Sequence, residues 1–132
     1  MGQPVTDSAW VEELFRSIDA KDSPRFLDYL TEDACFRFGN APSAVGKTAI
    51  SQLLEGFFAS IQALHHDLLN TWTTAEHVIC QGIVTYTKHD GSTLCVPFVD
   101  VFAMRSKLVM EYLIYIDASQ LYPAQSQPAL VK

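Results

Sequence analysis

Basic residues are scarce and scattered in this sequence: nine Lys and Arg against fifteen Asp and Glu among 132 residues, for a formal net charge of −6. Neutralising phosphates takes a clustered row of cations, so nucleic acid is excluded as the expected partner. No uninterrupted apolar stretch approaches the ~20 residues that span a bilayer, so no membrane contact is expected. The opening MGQPVTDSAW lacks both a basic patch and an apolar core. No secretory signal is read there, and a cytoplasmic location is expected. Its MGxxxT start matches a myristoylation pattern too loosely to be more than chance. Cysteine is sparse as well: Cys35, Cys80 and Cys95 stand apart in apolar segments, without C-x-x-C spacing. That excludes a zinc site, predicts free thiols in a reducing compartment, and leaves neither metal nor cofactor expected. Internal repeats are also absent.

What is present is a well-patterned single domain over residues 1–122, followed by a Pro- and Gln-rich tail over 123–132. Trp10, Leu14, Phe15 and Ile18 recur at helical spacing behind N-cap candidates Thr6, Asp7 and Ser8. Ser23 at N-cap and Pro24 at N1 predict a second, shorter helix. A short strand is expected over 33–38, a Gly/Asn/Pro-rich loop over 39–46, and a third helix from Lys47 or Thr48 to about Leu64. From there the apolar period drops to two. Strands are predicted over 66–73, 78–88, 94–104 and 108–116, with Gly82 as a bulge and Asp90-Gly91 as a hairpin turn. Three helices followed by a meander of long strands is an α+β pattern. The expected architecture is a cone-shaped, curved antiparallel sheet wrapped around the three N-terminal helices and enclosing an apolar pocket.

The stretch 94–104 (LCVPFVDVFAM) is the most informative, because one acid, Asp100, sits inside an apolar run. An unpaired carboxylate in a dry site is costly, so it pairs, takes up a proton or faces a polar cavity. Either Asp100 reaches water or a structural donor, or it faces a pocket and acts there.

Several strings then resemble a known family: DACFRFGN, the Gly46-Lys47-Thr48-Ala49-Ile50 loop end, PFVDVFAM and KLVMEYLIYID. Together they resemble the SnoaL-like branch of the nuclear transport factor 2 superfamily, which includes ketosteroid isomerase, limonene-epoxide hydrolase, scytalone dehydratase and polyketide cyclases. The resemblance covers about residues 7–122 and implies the cone fold with a deep apolar pocket. It places Asp100 where the isomerase keeps an acid that donates to an oxyanion, with Phe98 and Phe102 drying the site. The isomerase's general base falls at Phe38 and its tyrosine near Leu14, so that mechanism is not implied. The hydrolase comparison places Asn40 where that enzyme positions a water, but its Arg and second Asp fall at Phe98 and Leu113. Asn40 is therefore either a pocket residue or a turn former.

The resemblance also implies that Glu111, Leu113, Tyr115 and Asp117 line the concave face. Met110, Tyr112, Ile114 and Ile116 would then form an outer apolar face suited to a homodimer. Tyr115 becomes a hydrogen-bond donor to ligand or a core tyrosine; Glu111 becomes a second acid or a rim residue. Strand alternation puts His66 on one face with Leu68, Asn70 and Trp72, where it is a general-base candidate paired with Asp100 or a strand-end histidine. Phe38, Phe58, Trp72 and Phe98 are core aromatics that double as pocket wall. The function these residues point to is cofactor-free acid–base chemistry on a hydrophobic small molecule, of isomerase, cyclase, dehydratase or epoxide-opening type. The alternatives are a ligand-binding module without turnover, or a dimeric accessory domain of the same fold.

Overall fold

The computed structural model describes residues 8–121. Two periods govern it in succession. In α1 (Ser8–Asp19), Val11, Leu14, Phe15 and Ile18 make one buried stripe at three- and four-residue spacing. In β4 (His77–Thr87), Val78, Cys80, Gly82, Val84 and Tyr86 alternate buried with half-buried neighbours, the period of a strand with one face on a core. Between them run α2 (Ser23–Leu27), β1 (Leu30–Phe38), β2 (Ala44–Val45), α3 (Lys47–Ser60) and β3 (Ala63–Thr73). β5 (Thr93–Arg105), β6 (Leu108–Ile116) and a 3-10 turn at Ser119–Leu121 complete the described chain. No helix among the described residues is long and apolar enough to cross a membrane.

The strands form one curved, open sheet in the order β2-β1-β6-β5-β4-β3. It is not wholly antiparallel as expected. β1 lies parallel to β6, which the chain reaches only after β2, α3, β3, β4 and β5. The helices cover one face, and the core lies between them and that face.

Local chemistry accounts for the other departures. The α2 N-cap is Asp22, whose Oδ1 accepts from Arg25 N at 3.2 Å; Ser23 is instead buried and bridges to Glu55 of α3. α3 stops at Ser60 rather than Leu64. Lys21 Nζ donates to the carbonyls of Phe58 and Ile61 at 2.9 and 2.8 Å, satisfying helix-end acceptors that would otherwise be orphaned. The chain then pairs directly into β3, with Ala63 opposite Thr87.

The bulge predicted at Gly82 lies across from it. Leu68 pairs with Gly82 and Asn70 with Gln81, so Leu69 on β3 is the extra residue. Gly82 is required for another reason: a Cβ there would lie 2.2 Å from the Asp67 carbonyl oxygen. The expected hairpin forms, with Gly91 at φ +90° and Lys88 N donating to the Ser92 carbonyl at 2.8 Å. The Pro/Gln-rich tail, and the cap candidates Thr6 and Asp7, fall outside the described residues.

Candidate functional site

Register fixes the floor of the site. Phe38, Ile114, Asp100, Cys80 and Thr71 pair across five adjacent strands, so Asp100 is the central residue of a row on the helix-facing side. Above that row a cavity of about 510 Å³ opens between the sheet and the helices. Its walls include Phe36, Phe38, Phe57, Phe58 and Phe98, and no Lys or Arg lines it among the described residues.

Asp100 is 2 % exposed. Its carboxyl shares a hydrogen bond with the Tyr112 hydroxyl, while its Oδ1 has no protein partner. Burial pushes the Asp100 carboxyl well above the usual carboxylate range, and the Tyr112 hydroxyl opposes this only in part. The Tyr112 hydroxyl is raised in turn, by burial first and then by the Asp100 charge. Burial, followed by Asp100, raises the neighbouring Cys80 thiol as well. All three groups are therefore driven toward their neutral, proton-bearing forms, and a neutral carboxylic acid is a hydrogen-bond donor.

His66 also lines the cavity, but its partner is not Asp100. Asp19, the last residue of α1, accepts from His66 on both sides: its Oδ1 lies 2.6 Å from ring Nδ1, and its Oδ2 accepts from the backbone N at 3.0 Å. β3 is the edge strand, so Asp19 supplies the acceptor that no neighbouring strand offers. The imidazole packs against Phe15 and stands edge-on to Phe98, with centroids 4.9 and 5.3 Å apart. An acceptor on Nδ1 fixes the tautomer with hydrogen there and leaves Nε2 as the basic nitrogen. Along the sheet His66 is level with Val96, four residues and two strands from Asp100. Ordinary strand spacing separates the two backbones by about 16 Å. The pair address a ligand from separate walls, not each other.

The cavity thus gathers Asp100, His66, Phe38, Phe58 and Phe98, and it leaves out Trp72, Asn40, Tyr115 and Glu111, along with Leu113 and Asp117 of the expected concave face. Trp72 is 51 % exposed on the opposite face, because the Leu69 bulge reverses the parity that placed it beside His66. Asn40 is exposed in the turn after β1; only Ala41 of that loop reaches the cavity. Tyr115, 50 % exposed, and Glu111 also face outward. On β6 the inward residues are Tyr112, Ile114 and Ile116, the reverse of the expectation. Both parities of LVMEYLIYI are largely apolar, so hydropathy could not choose between them. The outer apolar face is therefore built by other residues: Trp72, Ile79, Val101 and Leu113 pair in one row across four strands.

Sequence reasoning missed Asp19 and misdirected Tyr112. A signal for Asp19 existed. An acid at a helix C-terminus opposes the carbonyl dipoles, so it needs a partner to justify it, and two histidines follow on a later strand.

The fold and its buried acid define the chain as a small α+β domain with an apolar ligand-sized cavity. The sequence matches the SnoaL-like domain over residues 11–112, and the chain belongs to that family. Nothing among the curated proteins matches it. Solved structures do. An NTF2-like protein of unknown function from Burkholderia pseudomallei K96243 is 14 % identical at a TM-score of 0.78, covering 84 % of this chain and 90 % of that one. A protein described as a candidate SnoaL-like polyketide cyclase from Jannaschia sp. CCS1 is 18 % identical at 0.73, covering 97 % and 99 %. A candidate polyketide cyclase from Xanthomonas campestris pv. campestris is 18 % identical at 0.72, covering 86 % and 92 %. At such identities the likeness speaks for the fold.

Proposed function

We propose that this protein is a cofactor-free enzyme that moves a proton on a neutral, hydrophobic carbonyl compound, giving isomerisation or ring closure. Asp19 holds His66 with hydrogen on Nδ1, and Nε2 takes a proton from carbon next to the carbonyl. Asp100, kept neutral and joined to Tyr112, donates a hydrogen bond to the oxygen on which negative charge develops. Returning the proton at another carbon isomerises the substrate; attack of the enolate on a second carbonyl closes a ring. No Lys or Arg among the described residues lines the cavity to pair with a carboxylate or phosphate, which favours an uncharged substrate class. The single observation that carries this reading is Asp100: a buried acid with an unpartnered oxygen, in an apolar cavity that also holds an Asp-supported histidine.

The test needs no natural substrate. β-Tetralone in deuterated buffer exchanges its acidic C–H protons, and NMR follows the rate. Wild-type protein is expected to accelerate exchange, with His66→Ala lowering the acceleration by about 10²-fold or more. Exchange no faster than buffer at saturating ketone would sink the enzyme reading and leave a binding module.

The same reading includes a partner, a second copy of this chain on the outer face. Its support is the Trp72, Ile79, Val101 and Leu113 row, which no described helix covers; exposed Arg37 ends the row beyond Leu113, and Asp67 and Glu111 lie to its sides. A cytoplasmic setting suits the three free thiols.

A further inference from the structure

Gly56 sits in the interior of α3, where glycine is the poorest choice after proline. Neither of the usual reasons for glycine applies. The backbone there is helical, and a Cβ built on Gly56 meets nothing within 4 Å among the described residues. No neighbour demands the missing side chain, yet Gly56 is both exposed and part of the cavity lining. Leu53 and Ser60, three residues before and four after, share both properties and so continue the same helix stripe. Half-buried Ala41, from the loop after β1, is the small residue lining the cavity from outside the helix. The cavity therefore meets solvent along this stripe of α3, while the buried Asp100 lines it from the sheet.

We propose that Gly56 is the portal of the cavity and sets the cross-section of the ligand that can enter. This rests on the reading of the cavity as a ligand site. A portal residue differs from a wall residue in its kinetics: narrowing the way in also narrows the way out. Association and dissociation slow together, and affinity changes little.

The neutral naphthyl ketone prodan, whose emission shifts in apolar surroundings, reads both rates by stopped flow. In Gly56→Phe both rate constants are expected to fall at least tenfold, with Kd within threefold of wild type. Gly56→Leu gives the same reading in smaller measure, should the phenylalanine variant not fold. Gly56→Ala should raise Tm by roughly 3 to 6 °C, because helix propensity improves and nothing is displaced. Wild-type rates in the Phe and Leu variants overturn the portal, and so does an unchanged or lowered Tm in Gly56→Ala. A wild-type protein that binds no prodan overturns the ligand-site reading itself, and the portal with it. Slowed binding in a chain that catalyses no exchange supports the portal and removes only the enzyme.

Discussion

Asp100 lines the cavity and Asp19 holds a histidine that lines it, and the two acids are committed in opposite ways. Asp19 has both oxygens engaged by His66, one by the ring and one by the backbone, and its side chain is 20 % exposed. Asp100 lies deeper, has Tyr112 as its hydrogen-bond partner, and keeps Oδ1 without one. A fully engaged carboxylate is architecture: it ties the end of α1 to an edge strand and aims a base. A buried carboxyl with a free oxygen is a cost to the fold, and such costs concentrate where a ligand completes them. Removing each acid should therefore move stability and activity in different combinations.

The largest effect is expected from Asp100→Leu. Ketone exchange should fall by about 10²- to 10³-fold, as on loss of an oxyanion donor. Thermal stability at neutral pH should stay within about 1 kcal/mol of wild type, because losing the unsatisfied Asp100 Oδ1 is offset by leaving the buried Tyr112 hydroxyl without its partner. A loss of stability as large as that of Asp19→Ala would break the contrast. Asp19→Ala should lower both: exchange by about tenfold or more, and stability by about 1–3 kcal/mol, measured by urea titration.

The pH dependence separates the two further. Asp100's folded pKa is raised, so the folded chain keeps a proton that the unfolded chain releases near pH 4. The unfolded state binds fewer protons in that window, and stability falls as pH rises from about 4 toward the folded pKa. Asp100→Asn should flatten this fall in a series of Tm measurements; an unchanged slope would show that another group produces it. The smallest effect on the site should come from Val101→Lys on the outer face. Sedimentation velocity should detect loss of a dimer, while ketone exchange by the folded chain stays within about threefold.

The fold was legible because its two periods are strong and its turns are chemically marked. β6 begins and ends at the expected residues, and Asp90-Gly91 turns as its chemistry requires. The family resemblance added a domain assignment that residue patterns alone could not supply. The site was half legible. Asp100 stood out as an acid in an apolar run, and His66 as a histidine on the correct face. Trp72 was lost to a bulge marked only by a glycine on the facing strand. Tyr115 and Glu111 were lost because one residue of register on an amphipathically ambiguous strand exchanges every side chain between faces. Asp19 needed a contact 47 residues apart in sequence, which no local pattern carries.

Leu69, 56 % exposed on the bulge, bears on how this sheet can change length. It is a residue that the pleat does not count. Deleting it would leave Leu68 and Thr71 turned inward and Trp72 outward, now in unbroken alternation. Deleting a residue from the regular middle of β4 would instead invert every side chain on one side of the cut. The bulge thus marks a place on the edge strand where the chain can gain or lose a residue and still present the same cavity.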